Sequence, residues 1–205
     1  MLTLSQYGVT LRRLETEDIE EVRLWRNEHF IQNKMLFTEE ITPEMQANWF
    51  NSIDNKSNYY FIIIDDRGRR VGLINSKNVS IEKKVGEGGI FISDLDVWHT
   101  ATPVIASMIL INFSILLLKS FDRSIVRILK SNKPAIEYNK KLGYLKCSED
   151  DKTIIMELTK ESYLKVIQPY SDILRKLHPK KKELVYTGTA SKNNIDEINN
   201  LLKKI

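Results

Sequence analysis

The chain has 205 residues, 42% hydrophobic and 28% charged, a balance ordinary for a soluble globular protein and enough for one sizeable core. Basic residues number 31 and acidic residues 27, and the resulting net charge of +4 suits an anionic small ligand. No basic stripe interleaved with aromatics and no nucleic-acid-binding motif is present, so nucleic acid is not an expected partner.

In chain order, Val9-Thr10-Leu11-Arg12-Arg13-Leu14 alternates as a first strand. Thr16-Glu17-Asp18 then caps a helix whose apolar side is Ile19, Val22 and Leu24-Trp25 and which ends near Arg26-Asn27. After Phe30, Ile31 and Met35, a second helix opens at Thr42-Pro43, with Met45, Trp49-Phe50 and Ile53 as its apolar face. Residues 59–64 and 70–79 read as strands joined by the hairpin turn Asp65-Asp66-Arg67-Gly68. A strand over 89–93 leads into a helix over 104–118. The β-branched run Ile125-Val126-Arg127-Ile128-Leu129 is a further strand. Asn132 is placed to cap a short helix carrying Ala135-Ile136, Tyr138-Asn139 and Leu142, and Gly143 is its left-handed stop. Residues 144–148 and 153–158 close as a hairpin. Beyond them, Tyr163, Val166-Ile167, Tyr170, Ile173-Leu174 and Leu177 predict an amphipathic helix disturbed near Pro169. Residues 180–189 read as a polar linker, and Ile195, Ile198, Leu201-Leu202 and Ile205 predict a final helix.

Cys147 is the only cysteine, which excludes an intrachain disulfide and a thiolate metal cluster. His29, His99 and His178 are scattered without ligand spacing, so no metal site is expected. The opening residues lack the charged and apolar regions of a signal peptide. The apolar run 104–118 is too short to span a bilayer, so the expected location is cytoplasmic.

The spacing Asn132, Ala135, Tyr138, Lys141 and Gly143-Tyr144 resembles the C-terminal half-site of the GNAT superfamily of acetyl-CoA-dependent N-acetyltransferases. The order of predicted elements over residues 9–158 is similar to that fold. The resemblance implies an α/β GNAT fold, with a mixed, mostly antiparallel central sheet flanked by helices over residues 1–158. Residues 159–205 then form a helical C-terminal extension, for which core packing, a homodimer contact and docking of another protein all remain open. Independently of the resemblance, a strand ending in an open position leaves a slot that a helix-borne phenol can reach. A phenol gives up its proton at a pKa close to that of a thiol, so it suits a leaving thiolate.

For the coenzyme, the resemblance implies that the strand ending near Ile92 bonds the pantetheine arm through its backbone, and that the turn into the next helix holds the diphosphate. Here that turn is His99-Thr100-Ala101-Thr102-Pro103-Val104, and Thr100, Thr102 and Val104 stand where the family most often has glycine. Thr102-Pro103 reads as an N-cap and first-turn pair, so a helix N-terminus still points at the anion. Asn132, Ala135 and Lys141 complete the implied coenzyme contacts, with Tyr138 as acid and Glu87, just before the 89–93 strand, as base.

Trp25-Arg26-Asn27, Met35 and Gln46-x-x-Trp49-Phe50 resemble the amino-sugar N-acetyltransferases of the pseudaminic acid pathway, although Gln46 stands where that group is expected to carry His. This implies a nucleotide-linked 4-amino-4,6-dideoxy sugar as substrate, contacted by Arg26, Asn27, Met35, Gln46, Trp49 and Lys77. The guanidinium fork of Arg26 suits a diphosphate or carboxylate, and Trp49 or Trp98 can stack on a base or pack a deoxy-sugar methyl. Trp25 falls on the apolar face and reads as core. Two alternatives stay open: protein N-terminal acetylation of the ribosomal-protein type, whose family shares a similar opening, and a GNAT fold retained as a binding module.

Overall fold

The computed structural model describes residues 1–119, 122–189, 199–200 and 203. The strands are β1 (Thr3–Gln6), β2 (Val9–Arg13), β3 (Tyr59–Ile64), β4 (Arg70–Ser80), β5 (Val85–Ile92), β6 (Arg123–Leu129), β7 (Leu145–Glu149), β8 (Thr153–Thr159) and β9 (Val185–Thr187). The helices are α1 (Ile19–Asn27), the single turn α2 (His29–Gln32), α3 (Pro43–Ile53), α4 (Thr102–Ile111), α5 (Lys133–Lys141) and α6 (Lys160–Leu177). One mixed sheet runs in the order β7-β8-β6-β5-β4-β3-β2-β1-β9. Every pairing is antiparallel except β5 with β6.

The two faces of the sheet follow from strand alternation. On one face Phe61, Ile74, Ile92, Val126 and Ile128 pack against Ile105 and Ile109 of α4, Ile136 of α5 and Tyr163, Ile167 and Leu174 of α6. On the other, Tyr60, Ile62 and Leu73 pack against Val22 and Trp25 of α1 and Trp49, Phe50 and Ile53 of α3. Trp25 meets Phe91 edge-on, in keeping with a core residue. Gly143 has φ +97°, and a Cβ there would lie 2.7 Å from the Ser162 carbonyl oxygen, so both backbone and space demand glycine.

Several expectations need correcting. Thr3–Gln6 is a strand in front of the predicted first one, with Leu2 and Leu4 wholly buried. The predicted linker contains β9, which adds to β1 at the sheet edge, and Tyr186 packs on Phe113. Long-range bonds hold this segment in place: Tyr7 N–H donates to the Lys181 carbonyl, and the Gln6 side chain donates to the Lys182 carbonyl. The helix predicted over 104–118 is α-helical only to Ile111 and continues as π-helical turns over Asn112–Leu117, where the Tyr163 hydroxyl donates to Asn112 Oδ1 at 2.7 Å. α6 runs unbroken through Pro169, which lies exposed, while Tyr163, Ile167 and Leu174 hold the helix to the core. Of the final helix predicted from Ile195 onward, only residues 199–200 and 203 are described: 199–200 are helical, and Lys203 N–H donates to the Asn199 carbonyl at 3.0 Å. Among the described residues no helix is long and apolar enough to cross a membrane.

Candidate active site

The sheet opens at one place. β5 and β6 pair in parallel only at Val85↔Arg123, Gly86↔Ser124 and Glu87↔Ile125, although β5 continues to Ile92 and β6 to Leu129. Past Glu87 the strands part, and among the described residues β5 from Gly88 to Ile92 has no strand partner on that side. Glu87 is therefore the last rung before the gap and lies inside β5 rather than ahead of it, because the strand starts at Val85. The fork is pinned from below, where the buried Tyr144 hydroxyl donates to Ser124 Oγ at 3.0 Å. Burial pushes the Tyr144 phenol up to about 12, so it stays a donor.

α4 begins at Thr102, after the segment that follows β5. Its N-cap position is Ala101, not Thr102, and the nearest side-chain bond is a turn one position earlier, where the Thr100 hydroxyl accepts from Thr102 N–H at 3.2 Å. Pro103 sits in the first turn and is buried. Thr100 Oγ1 also donates to the Val97 carbonyl, and the Trp98 indole donates to the carbonyl of Ile92 at 3.1 Å. His99, Thr100 and Ala101 are exposed, and Thr102 and Val104 are half-buried. Lys34 lies over the Trp98 ring, 5.1 Å from its centroid. Thr100→Ala is expected to cost about 1 kcal/mol in chemical denaturation, the usual worth of a cap, and Thr102→Ala much less. The sequence alone assigns the cap to Thr102.

α5 begins at the end of β6. Asn132 caps it as expected, accepting from Ala135 N–H at 3.3 Å. The Tyr138 hydroxyl donates to the Pro103 carbonyl at 2.8 Å and lies 2.7 Å from Ser107 Oγ, which is left to donate to it. Tyr138 thus joins α5 to the first turns of α4. Burial moves its phenol well above the ordinary value, against the opposing Ser107 bond. Lys141 is exposed in the last turn of α5.

On the α1/α3 face, Glu87 is held by its register partner Lys77 at 3.0 Å and by Asn78 Nδ2 at 3.1 Å. Trp49 and Tyr60 meet edge-on with centroids 5.2 Å apart. Burial and the Glu87 charge push the Tyr60 phenol up to about 12, against Arg26, Trp49 and Arg13. Arg26 Nε is buried without a hydrogen-bond partner, and desolvation lowers the guanidinium pKa. Met35 is half-buried beyond α2.

Two predicted substrate residues are otherwise engaged. Asn27 clasps Ile41, donating to its carbonyl and accepting from its N–H, both at 2.9 Å. Gln46 is buried and donates to the Ile19 carbonyl at 2.9 Å, tying α3 to α1. In the free protein each carboxamide ties backbone segments together. The structure adds Ser107, Tyr60, Asn75 and Asn78, which the sequence did not single out. Ser107 was visible as a polar break in an apolar run, whereas Tyr60 was lost within Tyr59-Tyr60-Phe61.

The residues fit acetyl-CoA on a backbone observation: the unpaired β5 edge can bond an extended, amide-bearing arm as an added strand does. No curated protein sequence matches the chain. Among solved structures, the apo form of FdhC, a nucleotide-linked sugar GNAT, aligns with a TM-score of 0.71 at 22% identity, over 84% of this chain and 98% of that one. Spermidine N-acetyltransferase from Vibrio cholerae, in complex with CoA and spermine, aligns with a TM-score of 0.67 at 16% identity, over 77% of this chain and 98% of that one. A domain from Methanocaldococcus jannaschii gives 0.64 at 21% identity, over 74% and 97%. The acetyltransferase (GNAT) domain family matches residues 9–145. With this match on top of the parted strands, the chain belongs to the GNAT acetyltransferases and takes acetyl-CoA as its acyl donor.

Proposed function

We propose that the protein acetylates the primary amine of a nucleotide-linked amino sugar, of the 4-amino-4,6-dideoxy type, by direct transfer in a ternary complex. The observation that carries this reading is Arg26, a guanidinium in the cleft wall whose buried Nε has no partner. A buried cation without a counter-ion is costly, and an incoming diphosphate relieves that cost with charge-assisted bonds. The charges beside Tyr60 on this face are Glu87 and Arg26, and Glu87 is already matched by Lys77. That wall is net cationic and repels a polyamine. The Trp49–Tyr60 pair offers an aromatic surface for a nucleobase or deoxy-sugar methyl.

Acetyl-CoA, once bound, supplies a thioester whose acyl carbon joins the amine nitrogen as sulfur leaves. In this reading the first turn of α4 receives the diphosphate on the Val104 N–H and on the Thr102 N–H, which gives up its bond to Thr100, because Pro103 has no N–H to offer. Glu87 takes the proton that the amine loses, and Tyr138 gives its hydroxyl proton to the departing sulfur. To do so it exchanges its bond to Pro103 for one to sulfur, while Ser107 continues to donate to the phenol oxygen. Rates of CoA release with acetyl-CoA and three acceptors test the substrate reading: a nucleotide-linked 4-amino sugar, spermidine and an N-terminal peptide. The nucleotide sugar is expected to give the highest kcat/KM. Preference for spermidine or the peptide would overturn the assignment.

A further inference from the structure

Gly89 lies on the unpaired edge of β5 and does not have a positive φ, so its backbone conformation does not call for glycine. A glycine inside a strand costs stability, so space must explain it. What a side chain there would meet is the carboxamide of Asn75, its register partner on β4. A Cβ at 89 would lie 2.7 Å from Asn75 Oδ1 and 3.4 Å from both Cγ and Nδ2. Asn75 Nδ2 donates to the Glu87 carbonyl over a long 3.5 Å. A carbonyl can only accept, which fixes this orientation and leaves Oδ1 over Gly89 as an acceptor. Asn75 pairs with Tyr60 on β3, and Lys77 and Glu87 sit two residues along their strands, so all four occupy one face of the sheet.

We propose that Asn75 is a further acceptor-site residue: its Oδ1 accepts an N–H of the substrate amine and turns the nitrogen lone pair toward the gap between β5 and β6, with Gly89 small so that the carboxamide can lie there. This rests on the transfer taking place in that gap. The nitrogen forms the C–N bond as the C–S bond breaks, and its surplus proton goes to Glu87. Asn75 neither gains nor loses a proton. A neutral amide suits this task, because a carboxylate at the same place would favour the ammonium form, which has no lone pair to attack with.

Steady-state kinetics on four variants, with the nucleotide amino sugar and with spermidine as acceptors, test it. Asn75→Ala is expected to lower kcat/KM for the acceptor about tenfold while the KM for acetyl-CoA stays within about twofold, the worth of one substrate hydrogen bond. Gly89→Ala should show a similar loss by displacing the carboxamide, and Asn75→Ala/Gly89→Ala should be no worse than Asn75→Ala alone. Asn75→Asp should move the acidic limb of the pH profile to higher pH. Wild-type kinetics for Asn75→Ala, or a full Gly89→Ala loss in the Asn75→Ala background, would overturn the assignment. Should the wild type acetylate spermidine and not the nucleotide sugar, the substrate reading fails, and the Asn75 effects are read on spermidine.

Discussion

Replacing Arg26 with methionine is expected to lower kcat/KM for a nucleotide-linked amino sugar by roughly 10- to 150-fold, the range for losing a hydrogen bond to a charged group. Methionine keeps an apolar stem of similar length, so packing against the α1/α3 side of the sheet survives. Folding stability should change little, because the buried Nε of Arg26 has no partner and its desolvation goes unrelieved in the free protein. Loss of activity with retained stability marks a group kept for its ligand. Raising ionic strength should weaken the wild type toward the variant. Equal kinetics for the two proteins on the nucleotide sugar would remove Arg26 from the site.

Tyr138→Phe is expected to lower kcat by about 10²- to 10⁴-fold, the span of general acid catalysis, with acetyl-CoA affinity nearly unchanged. Ser107 and the Pro103 carbonyl both lose a partner, so a stability loss of about 1–3 kcal/mol should accompany it. The two effects separate in the pH profile. Because burial raises the Tyr138 pKa, the donor stays protonated through the ordinary phenol range and is lost only above it. Wild-type activity should show no Tyr138-dependent fall below about pH 10. The stability linkage has the same sign: the contribution is complete below the unfolded tyrosine value and disappears as pH rises through the folded one. Equal turnover in Tyr138→Phe would leave the phenol as a tie between α4 and α5.

What the sequence made legible follows from the range of the forces involved. The Asn132 cap and the Gly143 stop are local, and both stand where the periodicity placed them. β9 was not legible, because three residues become a strand only through the distant edge of β1. Asn27 and Gln46 resembled substrate contacts by spacing, yet each carboxamide is taken by a backbone segment 14 or 27 residues away. The cap position of α4 was misplaced by one residue, at Thr102 instead of Ala101, and the hydroxyl that accepts from Thr102 N–H is that of Thr100, which also donates to the Val97 carbonyl. Asn75 and Gly89 meet only through the register of β4 with β5, which no single stretch of sequence displays.

The proposed reaction depends on acetyl-CoA binding at the first turn of α4, where threonines stand in place of glycines. Calorimetry of acetyl-CoA binding to wild type and to Ala101→Asp tests that placement most directly. Ala101 is exposed at the N-cap position, where aspartate is among the preferred residues, so the substitution should leave α4 intact. A carboxylate there lies beside the expected diphosphate and should weaken binding about tenfold or more by like-charge repulsion. Wild type binding acetyl-CoA, with Ala101→Asp folded but markedly weaker, is the expected result. Equal affinity in the two proteins would contradict it and move the diphosphate away from α4.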